Sequence, residues 1–412
     1  MKKRWIYTML LSLIAQLSFA QQEKPDWGIR WSGFVKTDVF YDTRQSSPGN
    51  GIREGHFFLF PDNVSYDADS VDLNSNGAFH ILNIQTRIRA DLSGPDAFGA
   101  RTTGAIEAEF FGTNEADLNG FRLRHAYVRM DWTKTGLLAG QFWHPMFPAE
   151  NFPGTISFNT GAPFTPFSRN PQLRLIQQMG RITTTLTAYT QRDFTSFGPD
   201  GGGSKYIRNS QTPGMNLQFK FPVNDQFTLW TGMDYKSIRP EIRTTKNYET
   251  NSLVESLAAF ASIKVKAERW HVSMMGVYAQ NATDLMMIGG YGVSRTKDST
   301  RMIREYVSIT TANALLDMSF YGKRYAAGLF AGYSKNLGAP KNLNGPVYSR
   351  GADIDHLLRI SPRFTATEGR LTLAAEMENT WAAYGKIQKD GRVDNTKTVL
   401  NTRFLLSAIY KF

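Results

Sequence analysis

The chain has 412 residues, a formal net charge of +11, no cysteine, 13% aromatic residues and a slightly polar mean hydropathy of −0.35. Disulfides therefore cannot carry its stability, and beyond Ala20 no apolar run reaches the roughly 20 residues of a membrane helix, which excludes a helical membrane protein. Past Arg4 the basic residues are scattered rather than striped, so nucleic acid is not an expected partner.

In chain order, Met1-Lys2-Lys3-Arg4 is a basic head, Trp5–Ala20 an apolar run, and Ser18-Phe19-Ala20 an exit with small residues where a signal peptidase cuts. Residues 1–20 are expected to be a signal peptide and 21–412 the mature domain; the competing reading, a membrane anchor, suffers from the shortness of the run. Removing Lys2, Lys3 and Arg4 lowers the net charge from +11 to +8.

A two-residue apolar rhythm then begins. Ile29, Trp31, Val35, Val39 and Tyr41 alternate with Arg30, Ser32, Lys36, Asp38 and Asp42. After a long connection, Leu82, Ile84, Ile88 and Leu92 alternate with Asn83, Gln85, Arg87, Arg89 and Asp91, and Ile106, Ala108 and Phe110 with Glu107 and Glu109. Near the end, Leu358, Ile360 and Phe364 alternate with Arg359, Ser361 and Arg363, and Leu371, Leu373, Ala375 and Met377 with Thr372, Glu376 and Glu378. The last strand sets Leu400, Phe404, Leu406, Ala408, Tyr410 and Phe412 against Asn401, Arg403, Leu405, Ser407, Ile409 and Lys411. Alternation is weaker over 256–266 and 315–329, where the faces stay open.

Successive side chains of a strand point to opposite faces. Strands of about 10–14 residues with one apolar and one polar face suit a tilted crossing of a bilayer, with lipid outside and water inside. Short connections such as 133–135, 222–225 and 367–369 take turns with long ones such as 43–78, 193–211 and 281–303. The expected fold is all-β: a transmembrane antiparallel β-barrel of sixteen strands, with no plug domain ahead of the first.

The third long connection, 144–170, differs from the rest. Six of the 17 prolines fall between Pro145 and Pro171, with Phe147, Phe152, Phe158, Phe164 and Phe167 among them. Proline removes the segment from a sheet ladder, and so many rings will not stand in water. It is expected to fold into the lumen as a constriction, the alternative being a cover over the mouth or a contact with a neighbouring subunit.

Four stretches resemble the DcaP-like family of outer-membrane porins: Gly33-Phe34-Val35-Lys36-Thr37-Asp38, Leu123-Arg124-His125-Ala126-Tyr127-Val128, Gly140-Gln141-Phe142-Trp143 and Ser168-Arg169-Asn170-Pro171-Gln172-Leu173-Arg174. The phosphate-selective type of anion porin is similar too. The resemblance implies a homotrimer of sixteen-stranded barrels that prefers small anionic solutes. Family members often carry an N-terminal coiled coil, for which Gln21–Gly28 is too short.

Independently of the family, Lys and Arg outnumber Asp and Glu on the inward faces, and rings of Arg and Lys favour anions. The expected pore lining is Arg87, Arg89, Arg174, Arg359, Arg363 and Arg403, with Arg169 from the loop and Glu107, Glu109, Glu376 and Glu378 as counter-charges. The alternative is that these charges pair across neighbouring strands and only brace the wall. Arg122 and Arg124 fall out of phase and mark a rim or a bulge. Trp31, Tyr41, Trp132, Trp143, Trp270, Trp381, Tyr410 and Phe412 fit interfacial girdles.

Of six histidines only His125 falls in the expected lumen, and no Gly-x-Ser-x-Gly elbow occurs, so neither an enzyme nor a cofactor or metal site is expected. The reading is a passive pore of the outer membrane of a Gram-negative cell, in contact with its lipid. Its rival is a gated or plugged barrel with a structural or adhesive role.

Overall fold

A computed structural model describes residues 27–46, 57–112 and 119–412. The expected signal peptide lies outside them. The wall begins with β1 (Gly28–Asp42), followed by β2 in two pieces (Ala78–Leu82 and Arg87–Ser93), β3 (Arg101–Glu109), β4 (Arg122–Asp131), β5 (Thr135–Trp143), β6 (Arg169–Met179) and β7 (Ile182–Tyr189). It continues with β8 (Gly214–Pro222), β9 (Phe227–Ile238), β10 (Val254–Lys266), β11 (Trp270–Gln280), β12 (Ile303–Tyr321), β13 (Tyr325–Gly338), β14 (Ile354–Glu368), β15 (Leu371–Ile387) and β16 (Val393–Lys411). Every neighbouring pair is antiparallel, and β16 returns to β1 in a register from Phe34↔Lys411 to Asp42↔Arg403. Sixteen strands thus close on themselves, leaving no edge in the bilayer, where unpaired backbone groups are most costly.

The register sorts the faces. Across β14–β16, Arg363↔Glu376, Arg359↔Thr380 and Glu378↔Arg403 are opposite partners on the lumen side. Phe364, Leu373, Phe404 and Leu406 are exposed on the outside. An apolar outer belt with Trp31, Tyr41, Trp270, Tyr410 and Phe412 exposed near strand ends is what a lipid-embedded barrel presents. Trp143 is not part of it: the ring is buried inside against Phe147 and Phe167.

β2 is not one continuous strand as its alternation suggests. Asn83–Thr86 leave the ladder; Thr37 Oγ1 donates to Asn83 Oδ1 at 2.6 Å, the Lys36 backbone N–H to Thr86 Oγ1 at 3.2 Å, and Lys36 Nζ to Gln85 Oε1. Leu82 and Ile84, expected to face lipid, pack on the lumen core instead, with Phe79 and Ile81 outside; beyond the detour the phase changes and Ile88 faces outward.

Where the sequence left the faces of 256–266 and 315–329 open, the inward positions are Ser256, Ala258, Phe260, Ser262 and Lys264, and later Leu315, Asp317 and Ser319. Several are apolar because something apolar fills the lumen beside them. The loops above the wall supply it. A three-stranded extension, in which Gly289–Asp298 pairs with the outer part of β12 and with Val347–Arg350, stands over this side of the barrel.

Candidate pore and its charged lining

The third loop crosses the lumen. The Ile156 and Ser157 amides both donate to Glu376 Oε2 at 2.7 Å on β15, and Asn159 Nδ2 donates to Glu378 Oε1 at 2.7 Å. Arg359 Nη1 on β14 donates to the Ala162 carbonyl at 2.8 Å, Asn151 Nδ2 to Ser262 Oγ on β10 at 2.8 Å, and Lys36 Nζ on β1 to the Ile156 carbonyl at 2.5 Å. The wall therefore offers charged and polar groups as sockets for loop backbone, which satisfies amides and carbonyls that have no ladder. The turn holds a cis Ala162–Pro163 bond.

The first loop also enters, which its length alone did not disclose. Phe57, Phe58, Leu59 and Phe60 are almost wholly buried among the rings of the third loop. Phe57 packs edge-on to Phe158 at 5.5 Å, and Arg359 Nη2 donates to the Leu59 carbonyl at 2.8 Å. From the other side Leu285, Met286, Met287 and Ile288 close over the same core, and the Phe167 amide donates to the Leu285 carbonyl at 2.9 Å. A hydrophobic tetrad followed by Pro61 was the signal available in the sequence.

The arginines sort into two clusters. On β2–β6, Arg87 reaches Glu109 at 3.2 Å, Arg89 reaches Asp91 at 2.7 Å and Glu107 at 3.2 Å, and Arg169 reaches Asp193 at 2.7 Å. Arg122 and Arg124 belong here as well. A register shift opposite Glu107 and Ala108 makes a bulge, one extra residue that re-aims the side chains around it. Arg124 thereby donates to Glu107 at 2.6 Å and Glu109 at 2.5 Å, and Arg122 to Glu109 at 2.8 Å. Next to the bulge, Gly140 sits at φ +136, where a Cβ would lie 2.2 Å from the Ala126 carbonyl oxygen. Only glycine lets β5 press so close to β4 there.

On β14–β16 the second cluster is sealed. Arg403 meets Asp42 at 2.7 Å, Arg363 meets Asp317 at 2.7 Å, and Arg359 lies 3.5 Å from Glu378. The Phe58 ring lies under the guanidinium groups of Arg359 (5.0 Å) and Arg403 (4.8 Å).

Arg174 stands apart. Its guanidinium donates to Gln172 Oε1 at 2.7 Å and the Trp143 carbonyl at 3.0 Å, and lies over Phe142 at 5.2 Å, with no carboxylate in ion-pair contact among the described residues. Arg87, Arg89, Arg129 and Arg174 remain partly exposed below the third loop, in a vestibule that opens toward the short turns. Above them, inward side chains of all sixteen strands include buried ones, and residues 157–170 of the loop are buried throughout. At that level the loop rings and wall side chains pack into one buried apolar cluster.

His144 and His271 also lie on the lumen side, so His125 is not alone. His144 stacks edge-on to Tyr189 at 4.5 Å, and Tyr189 donates to Asp234 at 2.6 Å. Among the described residues no group of His, Asp or Glu is arranged to hold a metal ion.

A closed sixteen-stranded barrel with an apolar belt, aromatic rims and a long loop laid across its lumen is the architecture of an outer-membrane porin. Among solved structures the chain is similar to the outer membrane channel DcaP of Acinetobacter baumannii, at 15% identity and TM-score 0.68 over 95% of this chain and 99% of that one. It is also similar to an anion-selective porin from Comamonas acidovorans, at 10% identity and TM-score 0.56 over 94% and 100%. A third similar structure is in-vitro folded OmpT of Vibrio cholerae in trimer form, at 8% identity and TM-score 0.53 over 94% and 99%. No family model and no curated protein matches the chain.

Proposed function

We propose that this barrel is an outer-membrane channel for small hydrophilic solutes, with a preference for anions, and that it rests closed. The observation carrying the anion preference is Arg174: an inward charge with no carboxylate in ion-pair contact among the described residues, on the same wall as the partly exposed Arg87 and Arg89. A fixed guanidinium at the edge of a low-dielectric wall raises the local concentration of anions, and its planar fork suits carboxylate or phosphate. The porin fold shared with an anion-selective porin agrees with this reading. Three copies per functional unit is the assembly we favour, with the apolar wall supplying the contacts.

The gated form of the alternative reading rests on that buried apolar cluster, which we read as closing the lumen. The seal is made of Phe57–Phe60, the rings of the third loop and Leu285–Ile288. Apolar constrictions gate by excluding water, so conduction requires the first or third loop to shift.

Swelling of proteoliposomes checks the channel. Small carboxylates should enter faster than amines or neutral solutes of equal size. Equal rates for all three would remove the anion preference and keep the pore, whereas no swelling with a folded barrel would remove the channel.

A further inference from the structure

Outside the lumen, in the extracellular cap, a buried guanidinium makes no ion pair among the described residues. Arg350 ends the short strand Val347–Arg350 and is only 5% exposed. Its Nη2 donates to the Thr283 carbonyl at 3.3 Å, while Nε and Nη1 are buried with no hydrogen-bond partner. The Phe197 ring covers it at 4.9 Å. The acid that acts on it, Asp284, is already engaged by Lys236 Nζ and by Gln191 Nε2 at 3.0 Å, and makes no ion pair with Arg350. Next to Thr283, Asn281 Nδ2 is likewise buried without a partner, its Oδ1 being taken by Thr283 Oγ1.

A buried cation without an anion is strongly disfavoured, and guanidinium and amide nitrogens can only donate. Burial accordingly pushes Arg350 down to about 10. Three unused donors that flank Thr283, two of them on a positive charge with no ion pair among the described residues, define the chemistry that would complete the site. Lys236 and Asp284 cancel each other, so the deficit is a single negative charge.

We infer that the cap binds a small monovalent anion, such as chloride, between Arg350 and Asn281. It would tie the 283–288 segment, which covers the third loop, to the strand that carries Arg350. The site does not depend on what the lumen carries.

The test uses the full barrel. Crystals soaked in bromide should show an anomalous peak within hydrogen-bonding distance of Arg350 Nε or Nη1. Trypsin should cut the exposed Arg295, Lys297 and Arg301 several-fold more slowly in chloride than in gluconate at matched ionic strength. Arg350→Gln should abolish both effects while the barrel keeps its heat-modifiable migration, and Arg350→Lys should retain part of the protection. A bromide-free position filled by water, or equal cleavage in the two salts, would overturn the site. If Arg350→Gln fails to fold, the bromide map of the unaltered protein decides alone.

Discussion

Two pairs of arginines, Arg87 and Arg89 on β2 and Arg359 and Arg403 on β14 and β16, come from the same strand rhythm and end in different surroundings. Arg87 and Arg89 keep 21% and 26% of their side-chain surface in the vestibule, whereas Arg359 and Arg403 keep 0% and 2%. The difference lies in what stands opposite. Across from β14–β16 the first and third loops press their backbone carbonyls and phenylalanine rings onto the guanidinium groups, which serve as sockets. On β2, Arg87 and Arg89 keep part of their surface free among the described residues, whereas Arg124 and Arg169 of the same cluster are buried against Trp143 and Phe167. A charge on an inward face is therefore a candidate for selectivity only if no loop claims it.

The largest effect expected from breaking this division is on stability. Arg359→Ala leaves Glu378 buried beside an empty socket and removes the clamps on the first and third loops, and should destabilise the barrel by about 3–5 kcal/mol, the cost of breaking a buried ion pair. Urea unfolding in detergent measures it. A loss below 1 kcal/mol, the scale of a surface pair, would place Arg359 with the vestibule arginines.

The mirror change, neutralising Arg87, Arg89 and Arg174 together, should lower the anion-to-cation permeability ratio several-fold with little loss of stability, because Arg122 and Arg124 still pair with the buried Glu107 and Glu109. Unchanged selectivity would contradict the assignment of the vestibule. Arg174 alone should account for most of the shift, since Arg87 and Arg89 are already paired with Glu109, Glu107 and Asp91.

Replacing Phe57, Phe58, Leu59 and Phe60 by serine should raise open probability while leaving selectivity in place, as read from single-channel records. Records indistinguishable from the unaltered protein would move the seal wholly to the third loop.

The smallest effect concerns the base of the first loop. A hydrogen bond from Arg44 holds the Asp72 carboxyl below its ordinary 3.8. A carboxyl lowered in the folded state stabilises above that range and ceases to do so as the pH falls through its folded value. The Ser65 and Asn74 amides, which donate to Asp72 Oδ1, should exchange hydrogen faster only below pH 3.8.

The wall was legible in the sequence because dyad alternation is a local consequence of the strand. Its two faces, its sixteen strands and the inward position of Arg87, Arg359 and Glu376 all follow from counting by two. Ala258, Phe260 and Leu315 hid their face because they pack in a core shared with the rings of distant loops, and local periodicity does not record a lumen filled with side chains. The bulge was half legible: Arg122 and Arg124 stood out of phase, but their destination, Glu107 and Glu109, depended on the register of β3 against β4. Which arginines are covered was not legible at all, since that depends on where Phe57–Phe60 and the third loop come to rest. Trp143 failed for the same reason: at a strand end, girdle and lumen look alike in sequence.

The most direct test of the central claim is the reversal potential of the purified protein in a planar bilayer under a salt gradient. The account predicts infrequent openings from a closed baseline, with an anion-selective potential that collapses toward zero in Arg174→Gln. Continuous conduction with a cation-selective potential would contradict both the seal and the role of the vestibule arginines.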